Sequence, residues 1–470
     1  MFFEQIFEEK LAQYAYLIGC QRSGEAIVVD PMRDIKRYEE LAAKHNLKII
    51  AAAETHIHAD YLSGLREFAE NGVKVYASDE GDKEWKYEWL MGSDYNYQLL
   101  KDGDEFKIGN IKFTTVYSPG HTPEHVSYLV TDGAATDEPM GILSGDFVFV
   151  GDVGRPDLLE TAAGQVGAME GSAKTLYKSL EKFKALPEYL QLWPGHGAGS
   201  ACGKALGAVP KSTVGYEQKF NPSIRSAITE QSFVDYILEG QPEPPLYFAR
   251  MKRDNKKGPK VLGTIPAPQK MDIQTIIEKA AGNDAVIVDT RKRNEFMSGH
   301  LKGSLLATIN KDFNTIVGSY VTEEQDIYLI IEDDKVGEAV TDLIRIGLDN
   351  IKGFTTPSEL KNVELVSTET INFEETDSLL NATGYTLLDA RKKSEFDEGH
   401  HPEAINISHT RLLDRIAEIP KNQPVLVHCK SGNRASFASA LLESKGWDVK
   451  FIDDSVNPWL QKNHYLAEVD

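Results

Sequence analysis

The sequence predicts an α/β multidomain protein, and three observations lead there. Apolar, β-branched runs alternate with helical patterns along the chain, as expected for sheets covered by helices. A length of 470 residues exceeds one ordinary hydrophobic core and suggests about three domains. Finally, Val286–Arg291, Glu295-Phe296 and Gly299-His300 return as Thr386–Arg391, Glu395-Phe396 and Gly399-His400, a constant offset of 100 positions (Asp289 to Asp389). Such self-similarity marks two copies of one domain.

The N-terminal part opens with a strand over Glu25–Asp30, a helix over Tyr38–Ala43 and a strand over Lys48–Ala53. This last strand runs into Glu54-Thr55-His56-Ile57-His58-Ala59-Asp60-Tyr61. Two imidazoles and a carboxylate just past a strand are suitable metal-ligand types. Ser118-Pro119-Gly120-His121, Gly145-Asp146 and Pro194-Gly195-His196 each add a ligand-type residue beside a glycine at a strand end. Pro242–Pro245 and the basic stretch Arg250–Pro259 are too rich in proline and charge to close a core, so a boundary falls there and the basic cluster reads as a solvated linker face. In the repeats, a strand over Ile327–Ile331 followed by a helix over Ala339–Arg345 predicts a parallel sheet covered by helices. The expected domains are 1–248, a linker 249–268, 269–365 and 366–470.

The charge balance is −21, from 51 basic and 72 acidic residues, so nucleic acid is not an expected partner. Cys20, Cys202 and Cys429 are too few and odd in number for a disulfide framework, which fits a reducing cytoplasm. The acidic N-terminus resembles neither a signal nor a transit peptide, and no apolar run approaches a membrane span. No membrane association is expected.

The apolar run Pro424–Val427 hands Cys429 to the loop Lys430-Ser431-Gly432-Asn433-Arg434, and a helical pattern follows from Ala435. Backbone N–H groups at that helix start, with the cation of Arg434, favour a thiolate. The ring is one residue shorter than the phosphate cradle of tyrosine phosphatases, and it resembles the active loop of the rhodanese family, whose cysteine carries sulfane sulfur as a persulfide. Asp-x-Arg and Glu-Phe with Gly-His resemble the rhodanese framework in both copies and read as structural. Aligning the second strands sets Glu332-Asp333-Asp334-Lys335 against Cys429–Gly432, and no cysteine lies between Cys202 and Cys429. The first copy is therefore expected to be inactive.

Taken together and in this order, the N-terminal motifs resemble the metallo-β-lactamase superfamily, which implies an αββα sandwich with metal between its sheets. Tyr61 stands where the superfamily motif has a histidine that helps hold a second metal. A mononuclear centre fits better, and His56, His121 and Asp146 match the positions that bind iron in the superfamily's persulfide dioxygenases. The resemblance thus implies one non-haem Fe(II) per chain, with His58, Asp60, Tyr61 and His196 behind the ligands. It also implies that Arg155, in Gly154-Arg155-x-Asp157, pairs with an anionic group of the substrate. Cys202, in the glycine-rich segment after His196, is expected to be a second thiol at the mouth of the site. Cys20 has no assigned role.

The whole chain thus resembles a persulfide dioxygenase-rhodanese fusion of sulfide detoxification, consisting of a metallo-β-lactamase sandwich followed by two rhodanese-like domains with parallel sheets. The resemblance implies a low-molecular-weight thiol persulfide, O2 and sulfite as partners, thiosulfate as net product, and a homo-oligomer. A glyoxalase II-like thioester hydrolase with rhodanese modules and a non-catalytic sulfur carrier are the alternatives.

Overall fold

In the computed structural model, residues 1–466 are described except 162–166, 205, 210, 242, 283 and 382–383. Pro242 of the expected boundary and the last four residues of the second repeat therefore lie outside the described residues. The chain divides into two compact units, Met1–Thr264 with Arg345–Gly347, and Ile265–Ile344 with Leu348–Asp470.

The first unit is built on two six-stranded sheets whose spatial order follows the chain. One holds β1 (Phe2–Glu8), β2 (Gln13–Cys20), β3 (Glu25–Val29), β4 (Lys48–Ala53), β5 (Lys74–Ser78) and β6 (Tyr97–Leu100). The other holds β7 (Glu105–Ile108), β8 (Ile111–Tyr117), β9 (Val126–Asp132), β10 (Gly141–Gly145), β11 (Gln191–Pro194) and β12 (Ser212–Thr213). The central strands β2, β3 and β10 are covered on both faces and are apolar on both sides, whereas the edge strand β7 alternates exposed Glu105 and Lys107 with buried Phe106 and Ile108. On β2 and β3, Tyr16, Ile18, Ile27 and Val29 meet Phe106, Phe113, Tyr128 and Leu143 of the facing sheet. Their neighbours Ala15, Leu17, Ala26 and Val28 face the other way, against Tyr38, Ala42, Leu65 and Phe68 of two helices. The helix Ala168–Lys184 covers the second sheet with Leu176, Leu180 and Phe183. These layers make the αββα sandwich.

The segment 249–268, expected as a linker, contains most of a helix, Tyr247–Lys257. Tyr247, Phe248, Met251 and Asn255 are buried, which at that spacing is one helical stripe. Charges at Arg250, Lys252, Arg253, Lys256 and Lys257 hide the stripe in the sequence, and even Lys252 lies over the Trp85 ring at 3.6 Å. The division between the units, at Thr264/Ile265, falls inside the same segment.

The second unit holds two five-stranded sheets. The first comprises β13 (Gln269–Lys270), β14 (Ala285–Asp289), β15 (Leu305–Leu306), β16 (Asp326–Ile330) and β17 (Ile351–Thr355), in the order β13-β17-β16-β14-β15. The second repeats that order with β18 (Glu369–Ile371), β19 (Thr386–Asp389), β20 (Ile405–Asn406), β21 (Val425–His428) and β22 (Val449–Ile452). All pairings are parallel. In each copy the Asp-x-Arg pair closes on itself and the arginine Nη2 also donates to a glycine carbonyl, Gly299 or Gly399, at 2.8 Å. These residues staple a strand end to the next turn.

Strand pairing corrects one alignment. Asp289 pairs with Ile330 while Asp389 pairs with His428, so Ile331, rather than Glu332, stands where the second copy has Cys429. In a Cys429→Ser background, Ile331→Cys is therefore the better revertant to make. Because Glu332-Asp333-Asp334 follows it instead of a loop with a glycine, the variant is expected to show no thiosulfate:cyanide sulfurtransferase activity above background.

Candidate metal centre and sulfur-transfer loop

The ligand-type residues of the first unit lie on loops at strand ends. His56–Tyr61 follow β4, His121 and His125 lie between β8 and β9, Asp146 follows β10, and His196 follows β11. Glycine makes room for the carboxylate: a Cβ on Gly195 would stand 2.4 Å from Asp146 Oδ1, and one on Gly154 would stand 1.8 Å from the Asp146 carbonyl oxygen.

His56, His121 and Asp146 are buried and offer one ligand atom each within 4.8 Å of one another. The two Nε2 atoms lie 3.9 and 3.5 Å from Asp146 Oδ2. Their other ring nitrogens are committed. His121 Nδ1 donates to the Arg155 carbonyl at 3.0 Å. The Thr55 hydroxyl donates to Asp30 Oδ2 at 3.0 Å, so its oxygen accepts from His56 Nδ1 at 2.9 Å. Both Nε2 lone pairs therefore point inward, as metal ligation requires. Burial lowers the pKa values of His56 and His121, which favours the neutral imidazole that metal ligation uses. Burial opposes ionisation of Asp146, but the surrounding histidines, His196 first, hold its pKa below the usual carboxylate value. Neither Asp146 oxygen has a hydrogen-bond partner among the described residues. A buried charge without a donor is costly, and a cation held by these three residues would satisfy it. The donor set of two nitrogens and one oxygen fits a non-haem metal.

A second set stands beside it. Asp60, His196 and Cys202, all buried, also converge within 4.8 Å. His196 Nε2 lies 3.4 Å from Asp60 Oδ2 and 3.5 Å from Asp146 Oδ2, and its Nδ1 donates to the Ala12 carbonyl at 3.1 Å. Burial, then the charges of Asp60 and Asp146, push the Cys202 thiol well above its usual pKa. Thus His196 and Asp60 are ligand-type groups in their own right, and replacing the motif histidine by Tyr61 does not by itself fix the metal count at one.

His58 turns its Nε2 outward, 3.3 Å from Asp30 Oδ1 and 3.0 Å from the Tyr61 hydroxyl. Burial works against a charge on His58, yet Asp30, with Glu54 and Asp60, carries its pKa up to about 9. Tyr61 is fully buried, its ring tilted by 32° against that of His58 with the centroids 4.4 Å apart, and so braces that ring.

Arg155, expected to face the substrate, is instead fully enclosed. Its Nε and Nη2 grip Asp157 at 2.8 and 2.6 Å and its Nη1 donates to the Ala201 carbonyl at 3.1 Å. The two-residue spacing that suggested a binding motif folds the pair onto each other, and Arg155 holds the Cys202 segment rather than a ligand. A cavity of about 340 Å³ lies elsewhere, in the second unit, while one of about 210 Å³ opens beside His196 and is lined by Phe7, Tyr14, Val150 and Val209.

Three supports escaped sequence reasoning. Asp30 anchors Thr55 and His58, and its only signal is a carboxylate at the end of β3. His125, four residues after His121, accepts from the Asp146 amide at 3.1 Å, with burial, then His121, holding its pKa down to about 3. Asn255 accepts from the Ser63 amide at 2.9 Å and donates to the carbonyls of His58 and Tyr61, both at 2.8 Å; no local signal marks it.

In the second unit Cys429 follows β21 and is buried, and the helix Asn433–Ser444 starts directly after Gly432. Lys430, Ser431 and Asn433 are exposed, whereas Gly432 is buried in the left-handed region with φ of +90°. Arg434 makes a two-pronged pair with Glu395, Nη2 to Oε1 at 2.8 Å and Nη1 to Oε2, so its charge is shared with that carboxylate as well as with the loop.

Residues 9–196 match the Metallo-beta-lactamase superfamily and residues 372–462 match the Rhodanese-like domain. A solved metallo-beta-lactamase from Staphylococcus aureus subsp. aureus COL is 39% identical, with a TM-score of 0.67, and the match covers 76% of this chain and 98% of that one. The mitochondrial persulfide dioxygenase ETHE1 of Bos taurus is 28% identical over 231 residues, 48% of this chain and 77% of that protein. A beta-lactamase hydrolase-like protein of Xylella fastidiosa is 27% identical over 253 residues, 48% of this chain and 53% of that protein.

Two outcomes test the centre. His121→Ala is expected to lose most of its bound metal, by elemental analysis, while remaining folded by circular dichroism. Asn255→Ala strands three buried backbone groups and should cost on the order of 2–4 kcal/mol in urea unfolding, with faster loss of metal to a chelator.

Proposed function

We propose that this chain, which belongs to the metallo-beta-lactamase superfamily and carries a C-terminal rhodanese-like domain, is a cytoplasmic persulfide dioxygenase coupled to a sulfurtransferase. One observation carries it: two inward Nε2 atoms and one buried carboxylate, from His56, His121 and Asp146, converge on one point and share a chain with a cysteine loop of persulfide type. The persulfide dioxygenase among the relatives supports the same chemistry. Among the described residues no helix is long and apolar enough to cross a membrane.

Ferrous iron at these three residues would supply open coordination positions for O2 and a substrate sulfur. The remaining work falls to the protein. Thr55 and the Arg155 carbonyl fix the two imidazole tautomers, and Tyr61 with Asp30 holds His58 behind them. Apolar Phe7, Val150 and Val209 line the cavity beside His196, which suits an uncharged sulfur-bearing arm. The balance is R-S-SH + O2 + H2O → R-SH + SO3²⁻ + 2 H⁺, in which the terminal sulfur gives four electrons to O2. Cys429, loaded with sulfane sulfur from another persulfide, delivers it to sulfite, so thiosulfate is the net product. Cys202 stands beside Asp60 and His196, where it could take up or hand on sulfane sulfur only once a cation in the site offset the burial and the carboxylates that hold it as a thiol.

The Asp60, His196 and Cys202 set favours a second reading, a two-metal thioester hydrolase of the glyoxalase II type. Anaerobic purification followed by iron and zinc analysis and an oxygen electrode separates the two. About one iron per chain with persulfide-dependent O2 uptake is expected, whereas two zincs with thioesterase activity would reject the dioxygenase. Cys429→Ser should keep O2 uptake while its product changes from thiosulfate to sulfite; enzyme-dependent thiosulfate at the parental rate would remove Cys429 from the transfer step. His121→Ala should lose O2 uptake and retain sulfur transfer.

A further inference from the structure

Every backbone carbonyl of a tight loop needs a donor. Three in the Cys429 loop find theirs within the second repeat. The Lys430 carbonyl accepts from the Val456 amide at 3.1 Å, that of Gly432 from the Ser436 amide at 2.9 Å, and that of Asn433 from the Ser436 hydroxyl at 2.7 Å.

The Ser431 carbonyl is held from the other repeat. Arg293, the first residue of the helix Arg293–Ser298, donates to it from Nη1 at 2.9 Å and reaches Asn433 Oδ1 at 3.2 Å. Its Nη2 pairs with Asp453 Oδ1 at 3.1 Å, and the guanidinium lies 5.8 Å from the Phe451 ring centre. Gly432 provides the space, since a Cβ there would stand 2.3 Å from Arg293 Nη1 and 2.7 Å from Asp453 Oδ1. At the matching position of the second repeat, Lys393 instead pairs with Asp397 one turn along its own helix. The cross-repeat contact is therefore not a by-product of the duplication.

We propose that Arg293 of the first repeat is a positioning residue for sulfur transfer at Cys429. It pins the Ser431 peptide, and with it the direction of the loop amides. In the step it serves, a sulfite lone pair attacks the terminal sulfur of Cys429-S-S⁻. A new sulfur-sulfur bond forms thiosulfate, the old one breaks, and its electron pair stays on Cys429 as a thiolate that the loop N–H groups stabilise. The first repeat, with Ile331 in the place of a thiol, thereby becomes part of its neighbour's active loop. This rests on the sulfur-transfer function proposed above.

The test uses full-length Arg293→Ala, Arg293→Gln and Arg293→Lys. Two readouts are taken: kcat and KM for thiosulfate:cyanide sulfur transfer, and the pH profile of Cys429 alkylation by iodoacetamide, followed on the Cys429 peptide. The Ala and Gln variants should lose about tenfold in kcat with KM nearly unchanged, and their Cys429 alkylation profile should differ from the parental one. Lys, with the charge but a single donor nitrogen in place of the guanidinium fork, should recover part of both, and persulfide-dependent O2 uptake should stay at the parental rate. Parental kcat and alkylation profile in the Gln variant would overturn the assignment. So would a Lys variant as impaired as the Ala variant and melting equally early, which would reduce Arg293 to packing. A parental chain without sulfurtransferase activity would refute the proposed function instead, and the alkylation profile would still report whether Arg293 sets the loop.

Discussion

The Asp146 carboxylate lies in the interior of the sandwich, and among the described residues neither oxygen has a hydrogen-bond partner within bonding geometry, the Cys202 thiol being the one potential donor beside it. An ionised carboxylate so placed costs several kcal/mol unless a counter-charge meets it. The surroundings are arranged around that deficit. Gly154 and Gly195 withhold side chains that would fill the space, His125 takes the backbone amide, and three imidazoles approach Oδ2 at 3.5 to 3.9 Å. The site is therefore expensive in the absence of a cation, and the sandwich core on either side of it must supply the stability that the centre withholds.

Behind the inward atoms lies a layer that removes rotational choice. Asp30 ties Thr55 and His58, Thr55 ties His56, the Arg155 carbonyl ties His121, and the Ala12 carbonyl ties His196. Each tie spends the ring nitrogen that would otherwise compete for a metal or a proton, so the ligand atoms are chosen before any metal arrives. Arg155 contributes through its backbone and through its grip on the Cys202 segment, which explains why an arginine so deeply enclosed sits next to chemistry it does not touch.

Much of this was legible in the sequence. His56, His121, Asp146 and Cys429 each follow a strand with a glycine or a tight turn nearby, a signal contained in a few consecutive residues. The duplicated domain was legible as an offset, and the two sheets share one strand order. What escaped reading depends on distance along the chain. Asn255 meets His58 and Tyr61 nearly two hundred residues away, and its helix looks like a charged linker because the buried stripe is four residues wide among lysines and arginines. The equivalence of Ile331 with Cys429 needed the pairing of Asp289 and Asp389, since a strand slipped by one residue has the same composition. The two-residue spacing of Arg155 and Asp157 describes a self-contained ion pair as well as it describes a binding motif, and the sequence does not distinguish the two.

The position of Asn255 has a consequence for biosynthesis. A ribosome delivers His56, His121, Asp146 and His196 well before it delivers the helix Tyr247–Lys257. Until that helix docks, the amide of Ser63 and the carbonyls of His58 and Tyr61 lack their partner and the turn after β4 is free to wander. Domains form as units during synthesis, so the turn that carries His56 and His58 takes its final shape only once the helix Tyr247–Lys257 has emerged and docked, after every candidate ligand has been made.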